Sequence, residues 1–205
     1  MTHPQNLAAM AGSCFQCHVV DDEALVNQVG HPAISDGFEV LSWYSGEVKH
    51  NFMVSKGGPV KAHVKEPQVI PPARKRMLFL TGKLSHAAQT LRVLAAATDA
   101  PVDQDGTYLR LPNGRYTFAV QHAIELQRIT KEMEEVLEQV LIQEYGEALV
   151  LIRSLKLKTG HSTEIAAAAE ELNRLAEQFA NNHDGQEYSA IDGLIQALKP
   201  RVSQP

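Results

Sequence analysis

Apolar residues recur at intervals of three and four along most of the chain after residue 73, which is the period of an α-helix. Separate series of this kind run over residues 77–97, 126–140 and 165–179. No stretch alternates apolar and polar residues over the length of a strand. We therefore expect an all-α fold in which residues 71–205 form an antiparallel helical bundle.

Capping residues and glycines predict where these helices begin and end. Ser162 and Ser189 each precede a helical pattern, so we expect both to be N-caps. We expect one long helix to begin near Arg115, and Gly146 to bend or interrupt it.

The first 70 residues differ in composition from the rest. Residues 55–72 contain four prolines and two glycines, which favours an irregular connection. We expect short helices over residues 6–20 and 37–52, the second capped by Ser35 or Asp36. The chain is thus divided into an N-terminal region, residues 1–70, and a helical bundle region, residues 71–205.

The two cysteines of the chain, Cys14 and Cys17, stand in one motif that ends in His18. Positions three and four apart share a helix face, so these three side chains can face one object. The pattern CxxCH is typical of c-type haem attachment: two thiols bond to the porphyrin vinyl groups and the histidine ligates iron. We expect one covalent haem c at Cys14, Cys17 and His18.

Three other interpretations of this motif stay open. A structural zinc site needs four ligands, and the later histidines are scattered singly. A thioredoxin-like dithiol needs a βαβ setting, which the pattern does not predict. The third alternative is an incidental pair of helix cysteines followed by a histidine.

A six-coordinate haem iron needs a second axial ligand, and the helix predicted over residues 37–52 offers one. Trp43, Gly46 and His50 are spaced by three and four and so share a stripe. Gly46 would let a flat macrocycle approach the backbone, Trp43 would pack on the ring, and His50 would reach the iron. His31, in a loop, is the second candidate. The methionines Met10 and Met53 are weaker ones.

Several segments of the chain resemble the last-haem region of bacterial multihaem c-type cytochromes. These segments are Cys14–His18, Leu25–Asn27 with Gly30-His31, Phe38-Glu39 with Ser42-Trp43, and Gly46–Phe52. Arg74–Arg76 and the helix through Leu91 are similar to the helical C-terminal part of those proteins. The resemblance implies electron transfer in the periplasm and histidine on both sides of iron, at His50 or His31. This chain has one haem motif where those cytochromes have several, so its haem must exchange electrons with a partner or a second copy.

Charge is distributed unevenly along the chain, whose formal net charge is −5. Residues 46–83 carry eight cations and two acids, a local charge of +6, whereas residues 125–147 carry two cations and seven acids, or −5. This asymmetry could steer an acidic redox partner. The narrow apolar seam of residues 126–140 could support a homo-oligomer. We do not expect nucleic acid as a partner.

No run of about 18 apolar residues is present, so we expect no transmembrane segment. Residues 1–12 lack the basic start and apolar stretch of a secretory signal. Because haem attachment takes place outside the cytoplasm, we nevertheless expect a periplasmic or otherwise extracytoplasmic protein.

Electron transfer by a six-coordinate haem is the function that these features favour, and we expect no enzymatic activity. One alternative is a five-coordinate haem that binds a gas or reduces a small oxidant. Another is a non-haem interaction module in which the helical bundle is the functional part.

Overall fold

The computed structural model describes residues 6–34, 38–45, 70–157 and 161–198, and within these ranges the fold is all-α, as predicted. The described residues form isolated β-bridges but no strand. Single turns of π-helix and 3₁₀-helix cover Leu25–Val29 and Ser189–Ile191. The α-helices are α1 (Leu7–His18), α2 (Val40–Ser45), α3 (Pro72–Ala96), α4 (Phe118–Gln139), α5 (Gln143–Ser154), α6 (Ser162–Asn182) and α7 (Asp192–Ala197).

Helix α3 lies at the centre of the fold. It packs against α1, α4 and α6, and every residue from 76 to 91 is buried. A helix that is buried on all sides is a core helix, and each polar side chain on it requires a partner. The polar residues of α3 are therefore informative, and several of them belong to the site described below.

Helix α1 is anchored in the same core. The side chain of Asn6 accepts a hydrogen bond from Ala9 N at 3.0 Å, which caps the helix at its start. The apolar face of α1 is buried among residues of the bundle region. The helix ends at His18 because Val19 adopts an extended backbone conformation, with its fully buried side chain in the core.

Some predicted helix boundaries are wrong. The break near Gly146 lies earlier: α4 ends at Gln139, Val140 and Ile142 are extended, and Gly146 lies inside α5. Ile142 is buried, and extended backbone suits these β-branched residues, so the chain turns there. The N-caps expected at Ser162 and Ser189 are instead His161 and Tyr188, one residue earlier.

Two cations of the basic stretch are buried in the bundle rather than displayed on its surface. Arg76 donates two hydrogen bonds to Asp192, at 2.7 and 2.6 Å, and a third to the Gly185 carbonyl at 3.0 Å. Lys83 Nζ donates to Glu132 Oε2 at 2.7 Å. Lys83 belongs to the basic stretch and Glu132 to the acidic one, so this ion pair neutralises one charge of each.

Candidate functional site: the last turn of α1

The CxxCH motif forms the last turn of α1. Cys17 is exposed, Cys14 and His18 are half-buried, and Phe15 is buried beneath them. Beyond the motif, Val20 N donates to the Ala33 carbonyl at 2.8 Å, which ties the chain that leaves α1 to a later segment. The motif is thus held from below by the core and from its C-terminal side by a backbone hydrogen bond.

Both cysteines are free thiols. Burial raises the pKa of the Cys14 thiol, and the neighbouring Cys17 raises it further. Catalytic redox dithiols depend on a cysteine whose pKa is lowered, since the thiolate is the nucleophile. The environment of Cys14 therefore disfavours the thioredoxin-like interpretation.

His18 is the first of a series of rings in contact with one another. The imidazole lies flat on the ring of Phe38, with centroids 3.8 Å apart and planes 8° apart. Phe38 meets Phe15 edge-on at 5.4 Å and 88°, and Phe15 stacks on His86 of α3 at 4.2 Å and 13°. Phe38 covers one face of the imidazole, whereas a ring nitrogen ligates a metal in the plane of the imidazole. The contact with Phe38 is therefore compatible with axial ligation by His18.

A partly buried polar cluster lies behind Phe15, between α3 and α4. His86 Nε2 is 3.3 Å from Glu125 Oε1, without the geometry of a hydrogen bond. Arg128 forms ion pairs with both Glu125 and Glu132, and Glu132 pairs in turn with Lys83. Burial lowers the pKa of His86 well below its usual value, and the charges of Lys83, Arg128 and His122 act in the same direction. His86 is therefore neutral at pH 7.

Glu39 lies beside this cluster. Burial raises the pKa of the Glu39 carboxyl, and the charge of Lys83 partly opposes that rise. One carboxyl oxygen accepts a hydrogen bond from Ser42 N at 2.7 Å at the start of α2. Sequence reasoning did not find the cluster. The sequence feature that could have indicated the cluster is the presence of two polar residues, Lys83 and His86, inside the apolar series of α3.

The structure describes some of the remaining predicted site residues and not others. Trp43 belongs to α2, but its side chain lies outside the described part of the structure. The same is true of the other predicted residues of this region, Gly46, His50 and Met53, and of the expected caps Ser35 and Asp36. His31 is exposed, and its Nδ1 lies 2.8 Å from the Pro32 carbonyl oxygen. Met10 is buried in the core on α1. Assignment of the second axial ligand to His50 or His31 stays a prediction.

Within the described parts of the chain, no three His, Cys, Asp or Glu side chains are grouped so that they could hold a metal ion on their own. Among the helices described, none has the length and apolar character needed to cross a membrane. Comparison of the chain with models of protein families, with curated proteins and with solved structures gives no match.

Proposed function

We propose that this protein is a c-type cytochrome with one haem bound covalently through Cys14 and Cys17 and ligated by His18. The observation that carries the proposal is the position of the CxxCH motif on an accessible helix turn that is anchored in the core through Phe15. When bound, haem c supplies one-electron redox chemistry. The proposed function is electron transfer between extracytoplasmic redox partners, without enzymatic turnover.

The residues of the chain have distinct roles in this proposal. The exposed Cys17 and the half-buried Cys14 would fix one edge of the macrocycle to α1. Phe38, stacked on the His18 imidazole, would hold that ring. His50 is the first candidate for the second iron ligand and His31 the second, and the sequence suggests Trp43 and Gly46 as further haem contacts. Histidine on both sides gives a lower reduction potential than histidine with methionine.

The donor set favours haem over a structural zinc ion. The two thiols and one imidazole of the motif are one ligand short of a closed tetrahedral site, and no fourth ligand joins them among the residues that the structure describes. In a c-type haem the same three groups are sufficient, because the thiols bond to carbon and the imidazole alone ligates iron. The raised pKa of the Cys14 thiol argues against a catalytic dithiol.

A protein with one haem must pass its electron to another molecule. We propose a redox protein as partner, or a second copy of this chain, in the periplasm or another extracytoplasmic compartment. Most cations of the basic stretch other than Arg76 and Lys83 lie outside the described residues. An acidic partner is therefore proposed from the sequence alone.

Production in a host that attaches haem to CxxCH motifs tests the proposal directly. We expect the mass of the mature chain to increase by one haem, and the reduced protein to show sharp split absorption bands. The double variant Cys14→Ser with Cys17→Ser is expected to lose the covalent haem completely. Gln16→Ser, at an exposed position inside the motif, is the matched control and should retain it. A wild-type chain with no added mass and no Soret band would refute the proposal.

The second axial ligand is tested by carbon monoxide, which binds reduced haem iron only where a coordination position is open. We expect no reaction in the wild type and a shifted Soret band in His50→Ala. His31→Ala is the companion variant and should behave as the wild type. The reverse pattern would assign the ligand to His31. Binding of carbon monoxide by the wild type would instead indicate a five-coordinate haem that binds a gas or reduces a small oxidant.

A further inference from the structure

We propose that Phe38 is a positioning residue, which fixes the plane of the His18 imidazole and through it the electronic structure of the haem iron. This inference rests on the proposed function. Phe38 precedes α2 and is separated from His18 by 20 positions, so the contact arises from the tertiary fold. No chemistry is assigned to Phe38 itself.

The contact between the two rings restricts rotation of the imidazole. Centroids 3.8 Å apart with planes 8° apart are in full van der Waals contact over one face. Rotation of His18 about its Cβ–Cγ bond would drive an edge of the imidazole into the Phe38 ring. The imidazole therefore has one favoured plane as long as Phe38 stays in place.

Phe38 is itself held by the core. Its side chain is 4% exposed, and its ring meets Phe15 edge-on, a favourable geometry for two aromatic rings. Phe15 stacks on His86, which belongs to the fully buried part of α3. The orientation of His18 thus depends, through contacts of two phenylalanines, on the buried core helix α3.

The orientation of an axial imidazole matters because its π orbital overlaps only some of the iron d orbitals. The plane of each axial imidazole would therefore contribute to the splitting of those orbitals and to the g-values of oxidised low-spin iron. Residues that orient a metal ligand without touching the metal are a general means by which proteins tune a metal site. Phe38 would act in this way through stacking rather than through a hydrogen bond.

The contact is tested first in protein that carries no haem, by NMR of the His18 ring protons. Protons above the face of an aromatic ring are shielded by its ring current. We expect the His18 signals to lie upfield in the wild type, with nuclear Overhauser contacts to Phe38, and to move downfield in Phe38→Leu. Phe118→Leu is the matched control: Phe118 is equally buried but contacts His122, so the His18 signals should not move.

The consequence for the iron is tested in the haem-loaded protein by electron paramagnetic resonance. We expect Phe38→Leu to change the g-values of the low-spin signal while covalent haem is retained, and Phe118→Leu to leave them unchanged. Unchanged g-values in Phe38→Leu, or wild-type His18 signals without upfield shift or contacts to Phe38, would overturn the inference. Failure of the wild type to attach haem would overturn the proposed function instead, and would leave the NMR result on the ring contact standing.

Discussion

Replacement of Gly185 by alanine is expected to lower the free energy of unfolding by about 3 kcal/mol or more, the range of large single-site effects. Gly185 has φ +83°, a conformation that costs an L-residue about 1–2 kcal/mol. A Cβ at this position would lie 2.3 Å from the carbonyl oxygen of Ala73 and 2.9 Å from Met77 Cγ. Because the first of these is a backbone atom, either the loop or the start of α3 must shift.

The shift would also disturb an ion pair. The Gly185 carbonyl accepts a hydrogen bond from Arg76, which holds Asp192 through two further bonds. Movement of this carbonyl would weaken the link between α3 and the start of α7. Both charges of the pair remain in the variant, so the added cost comes from weakened hydrogen bonds to the buried Arg76 guanidinium.

Urea denaturation of the wild type and two alanine variants measures the effect. Gly114→Ala is the matched control, because Gly114 has φ +81° but no atom lies within 4 Å of the position that an alanine Cβ would take. The free energy of unfolding of Gly114→Ala should fall only by the cost of the left-handed backbone conformation, about 1–2 kcal/mol. Equal losses in the two variants would show that the close approach of Ala73 to Gly185 does not contribute.

Lowering the pH from 7 to 4 is expected to remove about 3 kcal/mol of stability through His122 alone, at about 1.4 kcal/mol per pH unit. Burial lowers the pKa of His122 from 6.5 to about 4. Below pH 6.5 the unfolded chain binds a proton that the folded chain does not, so stability falls as the pH falls. His86, whose pKa burial lowers well below its usual value, acts in the same direction.

Glu39 acts in the opposite direction. Burial raises the pKa of its carboxyl above 4.5, so just above that pH the folded state holds a proton that the unfolded state has released. This contribution to stability grows as the pH falls through the raised pKa, and it offsets part of the loss that the histidines cause. Burial also raises the pKa of the Asp99 carboxyl, which therefore acts in the same direction as Glu39. The histidine contribution is measured as a difference between the wild type and a variant in which the histidine cannot titrate.

The variant His122→Gln isolates the histidine contribution. Its side chain cannot titrate, so we expect its stability to fall by about 3 kcal/mol less than that of the wild type between pH 7 and 4. At pH 8 the imidazole is neutral in both states, and the difference there reports the lost packing and the lost hydrogen bond from His122 Nε2 to the Val20 carbonyl, 3.1 Å long. A variant with the same pH dependence as the wild type would contradict the assignment.

The sequence by itself determined the helical architecture of the described residues. The interval of three and four predicted α3, α4 and α6, because this period follows from the geometry of a single helix and needs no information about neighbours. The helix around Cys14 and Cys17 was also predicted, as a short helix over residues 6–20. The motif that carries the proposed function was found because its three residues lie within one turn.

Only the tertiary structure decided which polar groups are buried and what each of them contacts. The start of α4 at Phe118, and not near Arg115, is marked by a hydrogen bond from Phe118 N to the side chain of Asn27, 91 positions earlier. The ion pair of Lys83 with Glu132 and the ring contact of His18 with Phe38 likewise join distant positions. Helix period is a local property of the chain, whereas the partner of a buried charge or ring depends on which helices meet in space.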